Sequence, residues 1–534
     1  MKAFAGTIPL IRLAFRRDRF IMPLWIFLYA LIPLSAVSAT IALYPTAAAR
    51  AAYAQIVTAS PAFTGLYGFL YGSSIGALIA WRYANIHWMA GLASFLTVIR
   101  HTRTDEELGR RDVLGATVVG RQAPLTAAVI VTCTANLLLA AIIAVGMIAL
   151  DQPAAGSVSF GLSAAAAGFV FVAIGAVCAQ LTQSAGAARG IAGALLGASF
   201  LLRAVGDVAR ATGNNTLSWL SWVSPIGWSR LTQSYAGDRW WVFALFAGAF
   251  VVFAAASFVL SAHRDVGAGL VQPRLGLASA SPWLRSPLAL AWRLHRGLLT
   301  GWTAALAVTA MFVGGLLQAV SDMIKQNPGL AKWFAAMGGR AALVDTATAA
   351  MMGFFGLFAA AYAIQATLRM RSEESSVRVE PVLATAVSRW RWAGSHLFFA
   401  FVGSAILLAV SGAVAGLAYG LPSGNVVREV PRVLGAAMVQ LPAVWILAGL
   451  AIALYGLLPR WSATVWGALG AFVMLGLFGE LLRFPQWVLD LSPFAHIPKY
   501  PGSEVTWVPL IWLMAIVSGL TAVGLAAFRH RDIG

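Results

Sequence analysis

The stretch RTDEELGRRDVLGATVVGR, residues 103–121, falls without a gap on RSEESSVRVEPVLATAVSR, residues 371–389, when the chain is slid against itself by 268 positions. Arg103, Arg110 and Arg121 meet Arg371, Arg378 and Arg389; Asp105, Glu106 and Asp112 meet Glu373, Glu374 and Glu380. At the same shift Trp219 meets Trp487, and Ser224-Pro225 meets Ser492-Pro493. A shift of 267 lays HRDVG (263–267) on HRDIG (530–534), and LAFRRDR (13–19) resembles LAWRLHR (290–296). A period of half the chain means that one structural unit is written twice.

What kind of unit follows from composition. Of 534 residues 60% are hydrophobic and 10% charged, against about 25% charged in a soluble domain. Many apolar runs reach the roughly 20 residues that a helix needs to cross a hydrocarbon core. The reading is an all-α polytopic membrane protein of about twelve transmembrane helices. Spans are expected near 22–43, 80–99, 123–149, 158–181, 190–209 and 240–262, then 298–320, 349–368, 393–418, 433–457, 463–482 and 507–528. The run from Met22 is too long for the apolar region of a signal peptide and is read as a retained first span. Six spans return the chain to its starting side, so the repeat is parallel. The halves are 1–267 and 298–534, joined by a cytoplasmic linker at 268–297.

The net charge of +18 would suggest nucleic acid on a soluble protein, but here it orients the chain. Segments 1–21, 100–121, 263–296 and 369–391 carry five Lys or Arg each, and 529–534 carries two, together 22 of 37. All lie on one side of a six-plus-six arrangement. The positive-inside rule makes that side cytoplasmic, with both termini inside. H-R-D-[VI]-G then ends the last span of each half, its basic residues facing the anionic leaflet and its glycine stopping the helix. Cys133 and Cys178 lie in apolar runs and form no disulfide framework or metal site.

Seven of the 19 acids sit in the two matched loops. Thr104 with Glu107 has the form of a capping box, Glu106–Arg110 and Glu107–Arg111 are favourable i,i+4 pairs, and Ser372 with Glu374–Arg378 repeats the pattern. A short charged helix on the cytoplasmic face of each half suits two copies of one cytoplasmic partner.

The loop RHTRTDEELGRRDVLGATVVGRQAPLTAA resembles ABC-2 type permeases, and within them the actinobacterial exporters of polyketide antibiotics of the tetronasin type. The second half is more diverged, with Ser375, Ser376 and Pro381 where the first has Glu107, Leu108 and Val113. The resemblance spans the chain and implies a fused permease of two ABC-2 halves of the type V exporter kind. It implies that Thr104, Asp105, Glu106, Glu107, Arg110, Arg111 and Asp112, with Ser372, Glu373, Glu374, Arg378 and Glu380, couple to two cytoplasmic ATPase subunits. It further implies connecting helices at 10–20 and 288–297. The pathway between the halves would be lined by Phe95, Phe200, Phe354, Phe355, Phe358, Phe472 and Met474, whose apolar surfaces suit hydrophobic drug-like cargo.

No catalytic residue is assigned. A P-loop needs Gly-Lys-[Ser/Thr], and none of the four lysines follows a glycine. ATP and magnesium would be bound by the partner ATPase. The alternative is an ion-coupled secondary multidrug transporter, which needs carboxylates inside the membrane. Asp207, Asp345 and Glu480 are the only acids suited to that, and Asp207 and Glu480 read as ion pairs with Arg203 and Arg483. A membrane-embedded transferase or hydrolase would need an acid or histidine constellation at the membrane surface, and only the two matched loops are dense enough for one. His101 and His496 stand alone in sequence, and no metal role is assigned to them. Arg82 and Asp345 are placed at an outer vestibule. The outer segments LSWLSWVSPIGWSR (217–230) and QWVLDLSPFAHIPKY (486–500) read as an interfacial aromatic belt, and the family reading makes them helices capping the exit.

Overall fold

A computed structural model describes residues 2–213, 216–271, 279, 281–326, 339–478 and 484–531. The described residues are helical, with no strand among them. The chain divides into two compact units, Met1–Leu275 and Gly276–Gly534. Among the described residues ten helices are long and apolar enough to cross a membrane, five in each unit.

In unit one, α1 (Thr7–Arg17) is amphipathic and ends in two arginines. The spans are α2 (Ile21–Leu43), α9 (Ala123–Ala149), α10 (Ala154–Leu181), α11 (Ala185–Ala211) and the helix that follows Trp240, α14 (Phe243–His263). The span expected at 80–99 is instead two helices, α5 (Ile75–Arg82) and α6 (Asn85–Ile99), broken at Tyr83–Ala84. Short helices α3 (Ala47–Thr58) and α4 (Pro61–Tyr67) precede them, each N-capped by a hydroxyl, Thr46 and Ser60. Helix α10 is the axis of the unit and the most buried span. Its small residues allow this. A Cβ on Gly161 would stand 2.4 Å from the Ala140 carbonyl oxygen, and one on Gly175 would stand 2.8 Å from Phe95. Lipid offers no hydrophobic drive for helix association, so close backbone approach through such residues must supply the packing.

Unit two has the spans Pro287–Ala319, Val344–Ser375, Arg389–Ser423, Val426–Leu457 and Trp507–His530. The expected span at 463–482 appears as a 14-residue helix, Val465–Phe478, and 479–483 lie outside the described residues. The described residues therefore do not confirm the count of twelve. The basic stretch 288–297 differs from its counterpart in unit one. It is continuous with the span in one helix, Pro287–Gln326, whereas α1 is separated from α2 by a turn at Asp18.

Small residues again allow close packing. Gly456 faces Gly524, where a Cβ would stand 2.2 Å from the opposing carbonyl oxygen. Tyr362 donates its hydroxyl to the Phe399 carbonyl at 3.0 Å, which satisfies a polar group inside an apolar cluster.

A candidate coupling loop clamped to the last span

The first matched loop does not begin a new helix at Thr104. Helix α6 widens into a π-turn at Arg100–Thr104 and runs on through α7 (Asp105–Glu107). Thr104 is helical and makes no cap; its hydroxyl accepts from Arg189 at 2.8 Å. Gly109 then takes a left-handed φ of 68° and α8 (Arg110–Gly115) starts. In unit two the helix Gly339–Ser375 likewise runs through Ser372, which is not a cap, and the chain turns at Val377 with φ 58°. Position 377 is 109 plus 268, so both copies reverse at one repeat position. Glycine adopts that conformation freely; a β-branched valine does so under strain.

The carboxylate at the centre of the first loop is Glu106. Arg264 grips it with two bonds, at 2.9 and 2.8 Å. Arg103 adds a bond at 2.9 Å, the Gly267 amide donates at 2.6 Å, and Arg111 stands 3.5 Å away. The side chains of Glu106, Arg103 and Arg264 are 2%, 1% and 4% exposed. Burial alone would push this carboxyl up; the Arg264 guanidinium and the Gly267 amide overcome it and hold it down at about 2. Arg264 and Gly267 belong to HRDVG. Ala268 completes the knot, its carbonyl accepting from both Arg103 and Arg264 at 2.7 Å.

Unit two repeats the arrangement. Arg531 of the second motif donates from one nitrogen to both oxygens of Glu374, at 2.8 Å each, and Arg371 stands 3.8 Å away. A second matched contact reinforces each clamp. Arg121 donates to the carbonyls of Ser261 and Arg264 at 3.2 and 2.6 Å. Its counterpart Arg389 donates to those of Phe528, Arg529 and Arg531 at 3.4, 3.0 and 2.5 Å. A guanidinium on the last carbonyls of a helix fills acceptors that lack an intrahelical partner and suits the negative end of the dipole. The repeated pentapeptide is thus more than a helix stop: its arginine receives the loop's glutamate.

The other loop residues fall into held and exposed sets. Asp105 takes Arg17 at 2.5 and 2.9 Å and Arg110 at 2.9 Å. These replace the expected Glu106–Arg110 pair, because the extra π-turn residue rotates the acids. Burial raises the Asp105 carboxyl, and Arg17 and Arg110 more than reverse that. Asp18, in the turn before α2, binds His101 at 2.7 Å and Arg100; its carboxyl also ends below its ordinary value, burial being outweighed by the bond from His101 and the guanidinium of Arg100. Glu107 turns away from Arg111 and accepts from the Ala185 amide at 2.8 Å, at the first turn of α11. In unit two Glu373 is buried and paired with Arg369 at 2.9 Å. Exposed on the loops are Glu107, Arg110, Asp112, Ser372, Arg378 and Glu380, together with Leu108, Val113, Val118 and Val377.

The aromatic set separates too. Phe95 and Phe355, each 2% exposed, belong to the packed interiors of their own units. Phe200 lies under the Arg203 guanidinium, 4.6 Å from ring centroid to Cζ. Phe354, Phe358 and Met474 are exposed and Phe472 is partly buried. Asp207 pairs with Arg203 at 3.5 Å and accepts from Ser221 at 2.8 Å. Asp345 pairs with Arg432, a partner that sequence spacing did not suggest. Glu480 and Arg483 lie outside the described residues. His496 bonds the Asp490 carbonyl at 2.8 Å, and Arg82 is exposed. Of the outer segments, Pro225–Leu231 is a short helix capped by Ser224, and Gln486–Leu489 is a single turn.

Residues 284–529 match the family described as the multidrug efflux system permease Rv1217c, C-terminal domain. Over 532 residues the chain is 45% identical to the multidrug efflux system permease protein Rv1217c of Mycobacterium tuberculosis, spanning 99% of this chain and 96% of the relative. Identity at that level over a polytopic helical chain leaves one conclusion: the chain belongs to the Rv1217c family of multidrug efflux permeases.

Proposed function

We propose that this chain is the membrane-spanning permease of an ATP-driven exporter of the ABC-2 kind. It moves hydrophobic or amphiphilic drugs out of the cell, while two copies of a separate cytoplasmic ATPase bind ATP and magnesium and hydrolyse the nucleotide. The name of the relative supports multidrug cargo; a polyketide of the tetronasin type is one member of that chemical class. The chain sits in the cell membrane with both termini in the cytoplasm.

One observation carries the reading. Each unit presents a surface loop whose buried glutamate is locked to the arginine that ends the last span, Glu106 to Arg264 and Glu374 to Arg531. A partner that pushes on the loop therefore moves the span with it. The partner meets what is exposed, which includes Glu107, Leu108, Arg110, Asp112 and Val113 on one loop and Ser372, Val377, Arg378 and Glu380 on the other. Glu106 and Glu374 transmit and do not dock. ATP binding would draw the two ATPases together and displace both loops. Cargo that prefers one of the resulting states is carried across.

The ion-coupled alternative would rest on Asp207, Asp345 and Glu480. Asp207 and Asp345 are held by arginines, as expected of structural pairs, and Glu480 lies outside the described residues.

The test is co-expression with an ATPase encoded beside this gene and native mass spectrometry of the complex. One permease with two ATPases supports the proposal. Asp112→Lys with Val113→Glu, and Arg378→Glu with Glu380→Lys, should lower ATPase occupancy while the chain stays folded. Full occupancy in both variants would refute docking at these loops.

A further inference from the structure

On the same charged face of unit one lies a groove of about 370 Å³, within the range of small-molecule sites. Its floor is apolar: Leu10 and Leu13 of α1, Leu114 of α8 and Leu125 of α9. Its rim carries Arg17, Arg110 and Arg111. The partners of these arginines do not neutralise them. Asp105 serves Arg17 and Arg110; Glu106 serves Arg103, Arg111 and Arg264. Five guanidiniums on two carboxylates leave three positive charges over, and one remains once the exposed Glu107 and Asp112 of the same loop are counted. Arg110 has a side chain 54% exposed and Arg111 one 20% exposed, so both can reach a ligand without leaving their partners.

An apolar slot under an excess of guanidinium is complementary to a molecule with a hydrocarbon tail and a phosphate head. We infer that the groove binds one anionic phospholipid, its phosphate against Arg110 and Arg111 and an acyl chain between Leu10, Leu13, Leu114 and Leu125. The inference rests on the reading that this face lies at the membrane surface, where α1 meets α2. Guanidinium geometry favours two-point recognition of phosphate oxygens, and basic residues at the bilayer surface select anionic headgroups. A lipid seated there would bridge α1 and the coupling loop, so the membrane's anionic content would set how firmly the two are joined.

The full-length chain, purified in neutral detergent without any ATPase, is mixed with phosphatidylglycerol or phosphatidylcholine of matched chains and examined by native mass spectrometry. The expected result is one phosphatidylglycerol retained per chain, with a preference of about tenfold or more over phosphatidylcholine. Arg110→Gln should cut that preference at least about threefold. Leu114→Trp fills the slot without changing charge and should cut retention of phosphatidylglycerol by about tenfold. If that variant fails to fold, Arg110→Gln alone decides. Equal retention of the two lipids, retention of neither, or unchanged phosphatidylglycerol binding in Arg110→Gln would overturn the inference. So would complete displacement of the lipid by millimolar inorganic phosphate, which would make this a site for the free ion. Because no ATPase is present, none of these failures bears on the coupling proposal.

Discussion

Glu106→Gln is nearly isosteric and removes one charge, which makes it the sharpest probe of the clamp. In the native loop four bonds of 2.9 Å or less converge on the carboxylate: two from Arg264, one from Arg103 and one from the Gly267 amide. A glutamine keeps one carbonyl oxygen and turns an NH2 toward guanidinium donors. Two side chains at most 4% exposed are left without a carboxylate. Breaking a buried pair by removing one partner costs about 3–5 kcal/mol. In the matching pair Arg531 is 15% exposed and uses one nitrogen, so Glu374→Gln should cost about 1.5–3 kcal/mol, the range for hydrogen bonds to charged groups.

Hydrogen exchange reads this locally. Gly267 donates to Glu106, and Val271 donates to the Leu181 carbonyl at 2.9 Å. Peptides spanning 264–271 should exchange about 150-fold to several thousand-fold faster in Glu106→Gln, given that about 1.36 kcal/mol is a factor of ten. A double-mutant cycle with Arg264→Gln should return a coupling of about 1–3 kcal/mol. A change of less than about threefold at 264–271, or a larger effect from Glu374→Gln than from Glu106→Gln, would refute the view that these contacts fasten the loop to the last span.

Three other outcomes are expected. Gly269→Ala would put a Cβ 2.6 Å from the backbone of Thr182 and Gln183, so the segment after α14 must lift off the end of α10. Its thermal unfolding midpoint in detergent should fall by the equivalent of about 1–3 kcal/mol; an unchanged midpoint would contradict the close approach. The left-handed position should respond oppositely in the two loops: Val377→Gly relieves about 1 kcal/mol of strain and Gly109→Val adds about 1–2, measured by the same midpoints. Finally, the folded carboxyls of Glu106, Asp105 and Asp18 all lie below their ordinary values. Their stabilisation is therefore complete above the unfolded carboxylate range and is lost as pH falls through the folded values, for Glu106 near 2. Exchange at 264–271, corrected for intrinsic rate, should stay protected at pH 4 and open below about pH 3; opening already at pH 5 would contradict the depressed Glu106 value.

The membrane class was legible because composition and run length answer to the solvent and not to tertiary detail. The repeat was legible because letters can be compared with letters. What could not be read was direction. Glu106 and Arg264 were both visible as repeated residues, but the pattern assigned one to an i,i+4 pair and the other to the lipid surface. A local pairing rule presumes a regular helix, and the π-turn at Arg100–Thr104 removes that presumption, so Asp105, not Glu106, meets Arg110. The signal was present in another form: a glutamate and an arginine recurring at nearly one shift, 268 and 267, are what a contact between two segments leaves in a duplicated chain. The break between α5 and α6 had a weaker trace, Arg82 near the start of an otherwise apolar run. Asp345–Arg432 had none, being set by how two spans pack.

The unequal copies show which contacts the arrangement needs. Unit one has a separate α1, pinned through Arg17–Asp105 and Asp18–His101, and a glycine at the reversal. Among the described residues of unit two none of these recurs: its basic stretch is continuous with the span, His295 bonds His396 at 2.9 Å, and Val377 strains the turn. Glu106 has three guanidiniums within 3.5 Å, and Glu374 has one close and one at 3.8 Å. Two things are the same in both: a motif arginine on the loop glutamate, and Arg121 or Arg389 on the carbonyls that end the last span. Had the motif served only to stop a helix in an anionic leaflet, its arginine would be free to face the headgroups, and no glutamate would be needed beneath it. Had the loop served only as a solvated surface, its central acid would not be buried. The pair is intelligible if loop and last span must move as one body. On the coupling proposed above, the additional anchors of unit one make it the stiffer of the two linkages, and displacement of its loop the one more completely passed on to its spans.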